Sequence, residues 1–177
     1  MPGGQGVTAI EDLAARLAVL EDREACRQLL ARYGPMADAG DHDGVASLFA
    51  SGGSYDVGGF GTYVGSEAIG ALLQCEEHLG LIASGAAHVL SDPVIQLDGD
   101  KARAFTYSIV LRRSDEAWAL HRVSANIWHL VREAHGWRVA HRANRLLDGS
   151  DDARAMLREW AADMRRGDPF RVRSGRL

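Results

Sequence analysis

The chain has 177 residues, 46% of them hydrophobic and 25% charged, with a formal net charge of −4. That length and balance suit a single globular domain with one sizeable core. The negative charge excludes a global field for nucleic acid, and no apolar run approaches the ~18 residues needed to span a bilayer.

In chain order, Ile10, Leu13, Leu17 and Leu20 recur at helical spacing, predicting a helix over 8–20. A second helix is predicted over 22–38, with Asp22 as N-cap and Cys26, Leu29, Leu30, Tyr33 and Ala37 as its apolar stripe. Gly34-Pro35 should kink it and Gly40 should stop it. A short helix fits 42–49, strand and turn pieces fit 53–64, and Ser66 is expected to cap a helix through Leu73. Strands then dominate. His88–Leu97 leads through the turn Asp98-Gly99-Asp100 into Lys101–Arg113, followed by Trp118–Arg132, the turn His135-Gly136 and Trp137–Leu147. A last helix covers Asp151–Arg166. Helices followed by antiparallel strands make an α+β plan, a curved sheet closed at one end by helices around a pocket. The expectation is one domain over 1–177, with its core at about 10–148 and a basic tail at 167–177.

The tail arginines Arg165, Arg166, Arg171, Arg173 and Arg176 read as a solvated terminus or as a phosphate or membrane patch. Met1 to Gly6 has no basic stretch leading into an apolar run, so no signal peptide is expected and the reading is cytoplasmic. Cys26 and Cys75 lack any CxxC spacing, and the seven histidines form no HxxxH or HExxH pattern, so no metal or other cofactor is expected. Neither GxSxG nor GxGxxG nor a P-loop is present.

What remains is proton-transfer chemistry on His, Asp, Tyr and Arg. Asp38 follows an apolar stripe and reads either as a partly buried acid or as a solvated helix-end one. His88 opens a strand. It is structural unless a carboxylate fixes its tautomer and makes the other ring nitrogen a base, which links it to Asp38. Tyr33 could share that cavity across a kinked turn. Ser124, Asn126 and Trp128 fall on one strand face, either lining a pocket or exposed. Arg142 and Arg145 fall on opposite faces of the last strand, and either could enter the pocket or sit in a surface ion pair.

The stretch Glu21–Tyr33, then Asp38-Ala39-Gly40-Asp41-His42-Asp43 and Leu48-Phe49, resembles the opening of SnoaL-like domains of the nuclear transport factor 2-like superfamily. Gly61–Glu67 resembles the strand-to-helix turn of hexachlorocyclohexane dehydrochlorinase, and Ser124–Trp128 the Ser-x-Asn segment of scytalone dehydratase. Tyr33 and Asp38 resemble the Tyr and Asp of bile acid 7α-dehydratase, and Gly136-Trp137-Arg138-Val139 is similar to a turn common across these proteins. The resemblance covers about residues 10–148. It implies a cone-shaped, cystatin-like α+β barrel and a cofactor-independent lyase. His88 would be the base, Asp38 its orienting partner, Tyr33 a proton donor, Arg142 and Arg145 catalytic arginines, and Ser124 and Asn126 substrate contacts. Ala37 and Val57 fall at or near the positions of two water-holding tyrosines in scytalone dehydratase, unless Tyr33 or Tyr55 substitutes, so scytalone itself is disfavoured.

The expected reaction is dehydration of a hydrophobic ring compound such as a steroid, terpenoid or polyketide, with Tyr55, Phe60, Tyr63, Tyr107 and Trp128 as pocket walls. Alternatives are a ketosteroid-type isomerase or polyketide cyclase with Asp38 as base, and a non-catalytic binding or dioxygenase small-subunit-like protein. No nucleic-acid or membrane partner is expected. A homodimer or homotrimer is expected through an outer patch of Val123, Ala125, Ile127 and Val131.

Overall fold

A computed structural model describes residues 4–114 and 116–166. The basic tail expected at 167–177 and the first three residues lie outside the described residues. None of the described helices is long and apolar enough to cross a membrane.

The chain opens with one helix, α1 (Gly4–Ala31), where two were expected. Nothing between Leu20 and Arg23 breaks a helix, so Asp22 sits inside it and does not cap. Its carboxylate instead pairs with Arg132 and accepts from the Trp137 indole N–H at 3.2 Å. The Ile10, Leu13, Leu17 and Leu20 stripe is exposed, and burial begins at Cys26, Leu29 and Leu30. Pro35 has no N–H to offer the Ala31 carbonyl, so α1 stops there and a one-turn-plus helix, α2 (Tyr33–Asp38), restarts at a new angle. Gly40, at φ 69°, then turns the chain as expected. Helix α3 (His42–Leu48) is capped by Asp41, whose side chain accepts from the Gly44 N–H at 2.8 Å.

Strands β1 (Phe49–Val57) and β2 (Gly61–Val64) form a hairpin. Helix α4 (Ser66–Leu72) is preceded by Gly65 at φ 89°, so glycine backbone freedom, and not a Ser66 cap, starts it. Helix α5 (Glu76–Ser84) has no counterpart in the sequence reading. The strand expected over 88–97 is two strands, β3 (Ala86–Leu90) and β4 (Val94–Asp98), because Pro93 cannot donate to a ladder. The predicted hairpin at Gly99 (φ 56°) leads to β5 (Lys101–Ser114), β6 (Ala117–Glu133) and β7 (Gly136–Leu146), and helix α6 (Asp151–Arg166) has the predicted bounds.

The seven strands form one sheet, ordered β2-β1-β7-β6-β5-β3, with β4 beside β5. All pairs are antiparallel except β1 with β7. The α+β reading holds, and the sheet is curved but unclosed. Period-two alternation gives it two faces. On the inner face Trp128, Leu130, Ala102, Ala104 and Val139 pack against Cys26, Leu30, Tyr33 and Ala37 of the helices. On the outer face Phe105, Ala125 and Ile127 pack against Met156 and Trp160 of α6. Ala125 and Ile127 are therefore covered by α6, while Val123 and Val131 of the patch expected to join protomers are half-buried.

Candidate active site

The helix-to-strand corner sets the site. Helix α2 lies so close to β3 that a Cβ on Gly34 would come 2.1 Å from the His88 carbonyl oxygen. Only glycine admits that approach, and it carries the end of α2 across the start of β3. Asp38 then meets His88. The backbone N–H of His88 donates to Asp38 Oδ2 at 2.9 Å, and its ring Nδ1 lies 2.6 Å from Asp38 Oδ1. A carboxylate only accepts, so Nδ1 carries the proton and Nε2 presents a lone pair. The imidazole side chain is 9% exposed. Its pKa is lowered from the ordinary histidine value. Burial is the main cause; the bond and charge of Asp38 oppose it, and the charges of His78 and Arg122 add to it. His78, from α5, tilts over the same ring at 5.5 Å between centroids and donates Nε2–H to the Ala37 carbonyl at 3.0 Å.

A cleft of about 400 Å³ opens beside this corner, lined by Leu30, Gly34, Pro35, His88, Leu90 and Thr106 among others. That volume suits a small ring compound.

Farther along the inner face is a second buried cluster. Arg142 is 2% exposed, and its guanidinium carbon sits 4.1 Å from the Tyr33 ring, 4.4 Å from Tyr55 and 4.2 Å from Trp128. Nε and Nη2 both donate to Asn126 Oδ1, at 3.0 and 2.9 Å, and Asn144 donates to the same oxygen at 2.9 Å. Asn126 passes the chain on, donating to Ser108 Oγ at 3.1 Å, while Trp128 donates its indole N–H to Thr106 Oγ1 at 3.0 Å. Arg142 Nη1 and Ser124 Oγ are buried without a hydrogen-bond partner. Burial raises the Tyr55 pKa above its ordinary value, against the nearby Arg142 charge, so its phenol stays a neutral donor. Tyr33 and Tyr55, the substitutes considered for the missing tyrosine pair, both set their rings against the Arg142 guanidinium.

Of the predicted site residues, Asp38, His88, Tyr33, Tyr55, Ser124, Asn126, Trp128 and Arg142 share the inner face or its helical cover, and Tyr63 packs half-buried against the same core. Three fall elsewhere. Arg145 lies opposite Ala125 on the outer face, bound to Asp56 at 2.6 Å and lining a separate cleft beside α6. Tyr107 lies opposite the same Ala125, 42% exposed and edge-on to Phe105. Phe60 is 64% exposed in the β1–β2 turn. In both strand cases the side chain takes the face that alternation assigns it, away from the pocket.

Arg122 was absent from the candidates. It shares a cross-strand row with His88, since His88 faces Val110 and Val110 faces Arg122. The signal was available, because Arg122 precedes Ser124 by two on one strand. Among the described residues, no group of three or more His, Cys, Asp or Glu side chains is placed to hold a metal ion.

Comparison with known proteins agrees with this architecture. An NTF2-like protein with a cystatin-like fold from Novosphingobium aromaticivorans is 48% identical, with a TM-score of 0.80, over 82% of this chain and 94% of that one. A protein of unknown function from Mycobacterium tuberculosis is 22% identical with a TM-score of 0.63, over 80% of this chain and 93% of that one. A candidate scytalone dehydratase from Novosphingobium aromaticivorans is 16% identical with a TM-score of 0.60, over 72% and 85%; at such identity these two show the fold alone. No curated protein matches the chain. The SnoaL-like domain family matches residues 18–143, most of the chain, and the protein belongs to that family.

Proposed function

We propose that the protein is a cofactor-independent lyase, a dehydratase of hydrophobic ring compounds in which His88 is the base. The observation that carries this reading is the double grip of Asp38 on His88, through the ring and the backbone N–H. It fixes the tautomer, aims Nε2 away from the carboxylate and places a counter-charge where the imidazolium forms. Burial keeps the imidazole neutral and ready to accept a proton.

In the reaction, His88 Nε2 takes a proton from the carbon next to an activating carbonyl. The electron pair shifts toward the carbonyl oxygen, then returns to form the new double bond and expels the β-hydroxyl as water with a proton from a phenol; the imidazolium proton then passes through water to the phenolate, restoring both groups. Tyr33 and Tyr55 supply phenols on the inner face, held beside the fixed Arg142 charge. The scytalone dehydratase resemblance at Ser124 and Asn126 points to the same chemistry.

A ketosteroid-type isomerase with Asp38 as base fits less well, because both Asp38 oxygens are already engaged by His88. The test is incubation with a panel of β-hydroxy ketone steroids and polyketides, followed by mass spectrometry. Loss of water supports the dehydratase, and a rearranged product of unchanged mass supports the isomerase. His88→Ala should lower turnover by about 10²–10⁴-fold, and unchanged turnover rules His88 out as the base.

A further inference from the structure

Two arginines of the inner face, Arg142 and Arg122, are buried or half-buried, and no carboxylate among the described residues is paired with either one. Arg142 is held by aromatic faces and an amide oxygen. Arg122 is half-buried, and its Nε is buried without a hydrogen-bond partner. Three other arginines of the sheet, Arg103, Arg132 and Arg145, pair with acids, and Arg112 and Arg138 donate to Ser84 Oγ and the Trp137 carbonyl. An uncompensated cation in a partly dry wall is costly, and an arriving anion relieves that cost.

The position of Arg122 makes this a site. It lies on the His88–Val110–Arg122 row, two strand spacings from His88, or about 10 Å between backbones. The guanidinium and the imidazole thus stand on the same face of the sheet, on either side of Val110. Ser124, the next inward residue on β6, adds a buried hydroxyl with no partner. A planar guanidinium fork beside a hydroxyl matches an anionic oxygen pair better than a neutral carbonyl.

We propose that the substrate carries an anionic oxygen group, a ring-attached carboxylate or ionised phenol, which Arg122 receives with Ser124 beside His88. This rests on the lyase reading for what happens next, but the binding itself does not need turnover. The Arg122 charge weakens His88 as a base in the empty site. An anion bound to Arg122 cancels that influence, so the base strengthens only when substrate is in place. Binding and activation are thereby linked through one cation.

The test is calorimetric titration with two neutral-ring probes of equal shape, 2-naphthoate and 2-naphthamide. The wild-type protein should bind naphthoate at least tenfold more tightly. Arg122→Met should abolish that preference while leaving naphthamide affinity unchanged, and Arg122→Lys, which keeps the charge and protects against a folding failure, should retain part of it. Equal affinities in the wild type, no naphthoate binding, or a preference that survives Arg122→Met overturns the proposal. His88→Gln should keep the naphthoate preference, so a protein that discriminates the probes but dehydrates nothing loses the lyase reading and not this one.

Discussion

Asp38 holds His88 by two different groups, with the ring Nδ1 at 2.6 Å and the backbone N–H at 2.9 Å. One contact is electrostatic preparation of the ring and the other anchors the strand. The two are separable by mutation. Asp38→Asn keeps an oxygen for the backbone N–H but removes the counter-charge. It should fold normally and lose about 10²-fold or more in turnover. Asp38→Ala also strands the backbone donor and should lose about 1–3 kcal/mol of stability. Chemical denaturation beside steady-state rates tells them apart; equal stability loss in both variants contradicts the division.

The pH dependence follows from His88. Its folded pKa lies below the ordinary 6.5, under the combined action of burial, His78 and Arg122 against Asp38. The active form is neutral, so activity is full above 6.5 and falls only below it, as pH passes the folded pKa. Stability has the same sign. Between the folded pKa and 6.5 the unfolded chain binds more protons, so the contribution of His88 is present above 6.5 and is lost as pH falls through that window. Arg122→Met should move the acid limb of the rate profile upward. A limb centred above 6.5 in the wild type contradicts this account.

Gly34→Ala places a methyl 2.1 Å from the His88 carbonyl oxygen, and that atom is strand backbone. The clash forces α2 and β3 apart. The expected cost is about 3 kcal/mol, with loss of turnover larger than the lost folded fraction explains. Thermal melting with activity measured well below the midpoint checks both.

Asn126 gives one amide oxygen to three N–H donors, two of them from Arg142. Asn126→Leu removes every acceptor of a buried cation and should cost about 3–5 kcal/mol. Asn126→Asp supplies a counter-charge and should retain the fold. Denaturant unfolding of the two variants is the measurement, and equal destabilisation counts against Arg142 as the reason.

The cysteines report on the helical cover. Cys26 is fully buried and its thiol is pushed up to about 12, chiefly by desolvation. Cys75 is partly exposed. Ellman's reagent should label one thiol in the native protein, at Cys75, and both in denaturant.

The strands were legible because alternation and glycine turns are local signals. Gly99 and Gly136 both take the positive φ their turns demand. Residue chemistry suggested the dyad and the resemblance favoured it, since a contact across fifty positions leaves no periodic trace. Asp22 misled because a cap residue and a mid-helix partner for Arg132 look alike in one dimension. Arg142 and Arg145 were correctly placed on opposite faces, but their inward sense depends on the register of β7 against β6, which pairs Arg142 with Trp128 and Arg145 with Ala125. Helix α5 was missed because its short run has no fully buried residue.

The guanidinium sandwiched by Tyr33, Tyr55 and Trp128 gathers side chains from α2, β1, β6 and β7 onto one point. Such a keystone resists piecemeal change: swapping any single ring exposes a charge that the other segments cannot cover. Divergence toward new substrates must therefore run through the rim, where α5, the β1–β2 turn and the β3–β4 connection can vary without disturbing the vault beneath.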